Sequence, residues 1–253
     1  MSTSAEIRAI PVLGIEEVRP NDSLVDALLS AASANDVHLE AGDIIVIKHK
    51  IVSKSEGRLI PLDSVKPSHE TKRWAQRYHL DARVTQLAIG EAHRIVRKRR
   101  GVLITETHNG LVCANSGVDV SNVDGGANAL LLPLDADRSA ANLYRGFRKR
   151  LGFAIPVIIS DSFGRPWREG LTEAAIGVAG MKVFRDFRQR RDRYGYKLKV
   201  SLEAVADELA CVAGLVCEKL ASTPACIVRG YKYEPGRGSA RQIIRSRNLD
   251  LFR

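Results

Sequence analysis

Two aspartates, Asp119 and Asp161, each follow a tight apolar segment and are the residues best placed to do chemistry. Asp119 lies in the run Cys-Ala-Asn-Ser-Gly-Val-Asp-Val-Ser-Asn (113–122), and Asp161 lies in Ile-Ile-Ser-Asp-Ser-Phe-Gly-Arg-Pro-Trp-Arg (158–168). A carboxylate at the end of a strand needs a cation or a hydrogen-bond donor if it is buried. Magnesium and manganese are usually held by one or two carboxylates together with phosphate oxygens of a substrate. The two segments therefore indicate a divalent-metal site that grips phosphate.

Each aspartate also has a purely structural interpretation. Asp119, with a glycine and an asparagine close by, is typical of an Asx turn or a cap. Asp161, followed by Ser162, fits the N-cap of a helix. Arg165 and Arg168 weaken the second alternative, because guanidinium groups on a stiff turn match the geometry of phosphate and carboxylate.

A strand is predicted over residues 43–54, because the segment is rich in β-branched residues and is bounded by glycines. Its last residue, Lys54, is either an exposed strand end or a clamp for phosphate. His49 in the same segment is interpreted as a satisfied histidine rather than as a ligand.

The remaining pattern predicts strands and helices in irregular alternation. Strands are predicted at residues 7–12, 101–107, 111–114, 130–133, 154–160 and 225–230. Helices are predicted at residues 24–34, 69–79, 82–96, 136–151 and 201–220, with a short one after residue 238. Because no regular strand–helix–strand period is present, the predicted fold class is α+β, with mixed sheets and packed helices.

Four local features refine this prediction. Asn109-Gly110 favours a hairpin between its flanking strands, and the basic run 97–100 is expected to close a helix. Pro156 is expected in the first residues of its strand or on a sheet edge. The basic, aromatic residues 182–199 are interpreted as a long loop or hairpin arm.

Composition is that of an ordinary globular protein, with 45% apolar and 27% charged residues. No stretch approaches the roughly eighteen apolar residues of a membrane span, and the N-terminus lacks a leader pattern. The four cysteines show no metal-binding spacing, which favours a reduced, cytoplasmic protein without a zinc site.

The net charge of +10 has three interpretations: nucleic-acid binding, attraction of anionic small substrates, or a solvated surface. Nucleic-acid binding is the less favoured interpretation, since aromatic residues make up only 6% of the chain and do not interleave with basic residues. The P-loop, dinucleotide, nucleophile-elbow and zinc-protease motifs are absent from the sequence. Any phosphate chemistry must therefore use another scaffold.

Seven segments in order resemble the coenzyme F420-0:L-glutamate ligase family, from about residue 8 to the C-terminus. They are Val-Ser-Lys-Ser-Glu-Gly-Arg (52–58), Thr-Glu-Thr-His (105–108), the Asp119 run (113–122), Asp-Ser-Phe-Gly-Arg-Pro-Trp-Arg-Glu-Gly (161–170), Ala-Ala-Ile-Gly-Val-Ala-Gly (174–180), Ala-Val-Ala-Asp-Glu-Leu (204–209) and Ile-Val-Arg-Gly (227–230). The end of the chain looks like that of the first domain of the actinobacterial two-domain version. The resemblance thus implies one ligase domain over residues 1–253, without the second, reductase domain.

The resemblance implies a GTP-dependent ligase that adds L-glutamate to the carboxylate of coenzyme F420-0, with further γ-linked addition possible. It also implies an intertwined homodimer of γ-glutamyl ligase-like fold that binds two Mg²⁺ or Mn²⁺ ions and K⁺. An open alternative is a related amide ligase that acts on another carboxylate-bearing coenzyme.

Site residues follow from the resemblance position by position. Asp119 and Asp161 would bind the first metal ion and Ser162 the second, while Lys54 and Arg165 would position the reacting anions. The expected contacts to GTP are Ile15, Glu16, Glu17, Val18, His49, Lys54 and Asn122. Three residues depart from the family pattern: Glu16 stands at a frequent proline, His49 at a frequent serine or threonine, and Lys219 at a glutamine of archaeal members.

The expected reaction begins with transfer of the γ-phosphoryl group of GTP to the acceptor carboxylate, which is otherwise a poor electrophile. The glutamate amine then attacks the resulting acyl phosphate, and phosphate leaves. Because every partner is an anion, a positive net charge fits this chemistry.

Overall fold

The computed structural model describes residues 6–121, 123–218 and 222–251, and these residues form six α-helices and twelve strands, with short 3₁₀ turns between them. The helices are α1 (Leu24–Ala34), α2 (His49–Ser55), α3 (His69–Arg77), α4 (Ala82–Gly90), α5 (Ala136–Leu151) and α6 (Val205–Gly214). The strands are β1 (Arg8–Pro11), β2 (Ile44–Lys48), β3 (Leu59–Pro61), β4 (Ala92–Arg99), β5 (Val102–Thr107), β6 (Val112–Ala114), β7 (Asn128–Leu130), β8 (Val157–Arg165), β9 (Arg168–Ala179), β10 (Arg185–Asp186), β11 (Leu202–Glu203) and β12 (Ala225–Arg229). The predicted α+β class with mixed sheets is confirmed.

The central sheet has five strands in the order β1-β12-β2-β8-β9, of which only β2 and β8 are parallel neighbours. Side chains of β2 alternate between two cores, as the pleat of a strand requires. Ile45 and Ile47 join the core that α1 and α5 cover, whereas Ile44 and Val46 join the core that α6 covers. The sheet is therefore buried on both faces, which explains why β2 is almost uniformly apolar.

Two smaller sheets place the segment that contains Asp119 next to the central sheet. β4, β5 and β6 form a three-stranded antiparallel sheet, and β3 pairs with β7. β6 packs beside β8, and Asp119 pairs with Leu130 through two backbone hydrogen bonds of 3.0 and 2.8 Å. The segment that follows β6 is thus fixed next to the strand that carries Asp161.

Elements with strong local signals lie where the sequence predicts them. Ser23 caps α1 and Asp135 caps α5. The hairpin around Asn109-Gly110 joins β5 to β6. Residues 182–199 form an irregular arm held by the β10–β11 pair, as predicted. No helix among the described residues is long and apolar enough to cross a membrane.

The predicted strand over residues 43–54 is wrong in its second half. The strand ends at Lys48, and His49–Ser55 form α2. Ile51 and Val52 favour a strand by intrinsic preference, but here they are buried in the core from a helix. Burial outweighs propensity in such a short segment. The interpretation of Lys54 as an exposed strand end is wrong for the same reason.

The predicted helix over residues 82–96 ends at Gly90, and β4 begins at Ala92. Exposure alternates strictly along β4, which is a strand period that the helical interpretation overlooked. The basic run 97–100 therefore closes no helix. Instead Arg100 and Gly101, with φ of 48° and 80°, make the tight turn from β4 into β5.

Three further boundaries differ from the prediction. The helix expected at 201–220 begins at Val205, because Leu202 and Glu203 pair as β11, and it ends at Gly214; Leu220 lies outside the described residues. The strand expected at 130–133 is Asn128–Leu130. The strand expected at 154–160 is Val157–Arg165, so Pro156 directly precedes it and does not lie within it; because β8 is paired on both sides, the edge alternative is wrong.

Gly177 is where β9 crosses the start of α5. A methyl group on its Cα would lie 2.2 Å from the backbone oxygen of Ala136, which cannot move aside as a side chain could. We expect Gly177→Ala to lower the free energy of unfolding by about 2–3 kcal/mol in urea titrations. Gly164→Ala is the control, since its methyl would meet only Leu171 at 3.9 Å. Equal stability of the two variants would contradict this packing.

Candidate active site

Three consecutive residues at the junction of β2 and α2 each face a different carboxylate. Lys48 Nζ lies 2.5 Å from Glu173 Oε1, and Lys50 Nζ lies 2.8 Å from Asp119 Oδ2. Between them, His49 Nε2 lies 3.4 Å from Asp161 Oδ1. The β2–α2 junction (residues 48–50) therefore gathers carboxylates from three separate segments of the chain into one place.

The parallel pairing of β2 with β8 explains this arrangement. Lys48 is in register with Ser160, so the end of β2 meets the polar part of β8. Along β8 the side chains alternate: Ser160 and Ser162 both bond Glu173, whereas Asp161 lies toward His49. The chain turns into α2 directly after Lys48, which directs His49 and Lys50 to different partners.

Asp119 is held in an Asx turn as well as in an ion pair. Its Oδ1 accepts a 2.7 Å hydrogen bond from the backbone N–H of Ser121, which is the turn that the structural interpretation predicted. Partial burial acts to raise the pKa of Asp119, but hydrogen bonds from Lys50 and Ser121 outweigh burial, so the pKa lies below its usual value. The turn orients the carboxylate and does not exclude a functional role.

The lowered pKa of Asp119 predicts that the stability of the fold depends on pH. The fold favours the ionised carboxylate, so this stabilisation is present above the usual pKa of about 3.9 and is lost as pH falls through the lowered value. Lys50→Met should reduce the free energy of unfolding by about 0.5–1 kcal/mol at pH 7, as for a partly exposed ion pair. In urea titrations at successively lower pH, the difference in the free energy of unfolding between the wild type and Lys50→Met should shrink toward zero. Lys72→Met, an exposed lysine on α3, serves as the control, and a difference independent of pH would contradict the ion pair.

Asp161 lies inside β8, so the N-cap interpretation is wrong. Its side chain is only 17% exposed, and Oδ1 accepts from the Ser162 backbone N–H at 2.7 Å. Oδ2 has no hydrogen-bond partner within the described parts of the chain. Burial and the nearby Asp161 carboxylate raise the pKa of the Cys113 thiol to about 12, which also shows that β6 approaches Asp161.

His49 is enclosed at the β2–α2 junction, with its side chain 2% exposed. Its Nδ1 lies 3.3 Å from Ser53 Oγ, one helical turn along α2, while Nε2 faces Asp161. The structure thus places His49 as a bridge between α2 and β8, and its expected contact to GTP stays a prediction.

Two other residues expected to contact GTP, Lys54 and Glu17, meet near the end of α2. Lys54 Nζ lies 2.5 Å from Glu17 Oε1, and the Lys54 side chain is 14% exposed. Of the segment 15–18 after β1, Val18 is buried, Ile15 is partly buried against the core, and both glutamates are exposed. Asn122 and Lys219 lie outside the described residues.

Arg165 ends β8 at a hairpin that returns through Arg168. One guanidinium nitrogen donates to the backbone oxygen of Glu169 at 3.3 Å, and the buried Nε has no partner among the described residues. No ion pair within the described residues joins Arg165 to Asp119 or Asp161.

Sequence reasoning missed the partners of these side chains. It assigned no partner to Lys48 or Lys50, and it did not consider Glu173. The available signal was the order Lys-His-Lys at the end of an apolar strand, beside a second strand that ends in Ser-Asp-Ser. Pairing those two strand ends in parallel would have predicted the contacts.

The donor chemistry around Asp119 and Asp161 fits a hard divalent cation. Both carboxylates are oxygen donors, and the Oδ2 atom of Asp161 is unpartnered among the described residues. The Ser162 hydroxyl, expected at a second ion, lies toward Glu173. The described residues contain no group of three or more His, Cys, Asp or Glu side chains that could hold a metal ion alone. Phosphate oxygens of a substrate would therefore have to complete the coordination shell, as they commonly do for magnesium.

Sequence comparison with known proteins finds relatives over almost the whole chain. The sequence profile of the family described as F420-0:Gamma-glutamyl ligase matches residues 13–230. The chain is 44% identical over 252 residues to the Coenzyme F420:L-glutamate ligase of Methanopyrus kandleri, covering 98% of each chain. It is 41% identical to the proteins of that name from Methanothermobacter thermautotrophicus, covering 98% of this chain and 99% of the relative, and Methanocaldococcus jannaschii, covering 85% and 86%. The chain belongs to the F420-0:gamma-glutamyl ligase family of enzymes.

Proposed function

We propose that this enzyme joins L-glutamate to the carboxylate of coenzyme F420-0 and uses GTP to activate that carboxylate. The observation that carries the proposal is the β2–α2 junction, where Asp119 and Asp161 come together beside the cations of α2. The names of the relatives supply the substrates, glutamate and F420. The net charge of +10 supports a preference for anionic partners.

The reaction proceeds in two steps. The γ-phosphoryl group moves from GTP to an oxygen of the acceptor carboxylate, which gives an acyl phosphate and GDP. The glutamate amine then attacks the acyl carbon, the amide bond forms, and phosphate leaves as the amine loses a proton. Lys54 binds the phosphates, and Arg165 orients the anionic substrates so that the reacting atoms meet in line.

In this proposal Asp119 and Asp161 would hold a first Mg²⁺ or Mn²⁺ ion and Ser162 a second, and K⁺ would be a further cofactor. A bound divalent ion neutralises negative charge on the group being transferred. The protein's own contribution is positional: Ser121 and Lys50 fix one carboxylate, while Ser162 and His49 fix the other.

The test is to incubate the purified protein with F420-0, L-glutamate, GTP and Mn²⁺ and to identify the product by mass spectrometry. A product one glutamyl residue heavier, formed together with GDP, supports the proposal. Products with two residues would show γ-linked extension. GDP release that depends on another carboxylate-bearing coenzyme, and not on F420-0, would favour the related amide ligase instead.

A homodimer is part of the same proposal. The arm of residues 182–199 and the segment after it expose apolar side chains, including Tyr194 and Val200, that a second subunit would cover. Sedimentation velocity at micromolar concentration would measure the mass, and a monomer would contradict this part of the proposal.

A further inference from the structure

Glu173 of β9 is the carboxylate at the β2–α2 junction that neither the family resemblance nor the proposed reaction uses. Its side chain is 9% exposed, and it accepts from three donors. Lys48 Nζ and Ser162 Oγ lie 2.5 and 2.6 Å from Oε1, and Ser160 Oγ lies 2.9 Å from Oε2. A buried carboxylate with this many partners fixes the positions of those partners.

The bond to Ser162 has a directional consequence. An ionised carboxylate accepts hydrogen bonds and donates none, so the Ser162 hydroxyl must turn its only hydrogen toward Glu173. Ser162 Oγ has no other partner among the described residues. Its lone pairs are therefore available on the side away from Glu173, which is the state that a metal-ligating hydroxyl needs.

The surroundings of Glu173 hold it in place. Glu173 is directly opposite Ser162 across the β8–β9 ladder, so the bond is built into the strand register. On the other side, α6 packs so closely that a methyl group on Gly214 would lie 2.5 Å from Glu173 Cγ. Any larger residue at position 214 must displace the Glu173 side chain.

We propose that Glu173 is a positioning residue that fixes the Ser162 hydroxyl as an oxygen ligand for a divalent cation. This inference rests on the proposed function, because it assumes that Ser162 binds a metal ion. Residues that orient metal ligands typically change metal affinity by about 10–100-fold when they are replaced. Glutamine at position 173 would keep the size of the side chain but would offer an amide with one acceptor oxygen in place of two.

The test is a double-mutant cycle on Mn²⁺ binding in the presence of GDP, with free Mn²⁺ measured by electron paramagnetic resonance. Glu173→Gln and Ser162→Ala are each expected to weaken the binding of one Mn²⁺ ion by about 10–100-fold. The double variant should be no weaker than Ser162→Ala alone, since Glu173 acts through Ser162. Independent, additive losses would overturn the inference.

Two additional variants separate positioning from a general structural effect. Gly214→Ala keeps Glu173 in the sequence but displaces its carboxylate, so this variant should weaken the binding of the same Mn²⁺ ion. Glu169→Gln, an exposed residue on the same strand, should bind Mn²⁺ as the wild type does. In the complete reaction, Glu173→Gln should lose activity at low Mn²⁺ and recover it as Mn²⁺ is raised. Activity that stays low at saturating Mn²⁺ would overturn the positioning role.

The outcomes distinguish this inference from the proposed function. A wild-type protein that binds no Mn²⁺ with GDP would overturn the proposed metal-dependent reaction, and this inference with it. Wild-type binding that Glu173→Gln leaves unchanged would overturn this inference alone. Circular dichroism of each variant checks that a loss of binding is not a loss of fold.

Discussion

Asp119→Asn is expected to lower glutamate-dependent GDP release by on the order of 10²–10³-fold while the protein stays folded. The asparagine oxygen can still accept the 2.7 Å hydrogen bond from Ser121, so the turn is kept. The negative charge is lost, and with it the attraction for a divalent cation and for Lys50. The measurement is steady-state GDP formation with F420-0, glutamate and Mn²⁺, together with Mn²⁺ binding.

The matched control for this prediction is Asp81→Asn. Asp81 also accepts a 2.7 Å hydrogen bond from the backbone N–H two residues further on, that of Arg83, but it lies exposed at the start of α4. The control should keep full activity if the effect at Asp119 comes from the site and not from a disturbed turn. Wild-type turnover by Asp119→Asn would remove Asp119 from the proposed reaction.

Elements that local chemistry specifies could be predicted from the sequence. Ser23 and Asp135 cap helices because their side-chain oxygens reach free backbone N–H groups within the same turn. Asn109-Gly110 makes a hairpin because both residues tolerate the backbone of a tight turn. In these cases the interactions that decide the structure lie within a few residues.

Elements that depend on distant packing could not be predicted in this way. Residues 49–55 include two β-branched residues that favour a strand, Ile51 and Val52, and their helix forms because it buries both against the core. The contacts of Glu173 depend on the β8–β9 register, which shifts by a bulge between Ile159 and Ser160. A one-residue slip would turn Ser162 away from Glu173, and no local signal fixes that register.

In the candidate site, too, some residues could be identified from the sequence and others only from the packing of distant segments. Asp119 and Asp161 stand out because acidic residues after apolar segments are rare and need partners. Their partners Lys50 and His49 come from α2, the helix that the sequence pattern assigned to a strand. The site was therefore recognised from its acids, while the partners of those acids required the three-dimensional structure.

Lys54→Met should raise the KM for GTP by about 10–100-fold, because a charged hydrogen bond to phosphate contributes about 1.5–3 kcal/mol. In the structure Lys54 is paired with Glu17, so a bound phosphate must compete with that carboxylate for the ammonium group. Glu17→Gln removes this competitor and should leave the KM for GTP equal or lower, which is the opposite sign from Lys54→Met. Initial rates across a GTP series at saturating F420-0 and glutamate would compare the two variants. If both raise the KM alike, the ion pair itself shapes the nucleotide site and Lys54 is not a free phosphate ligand.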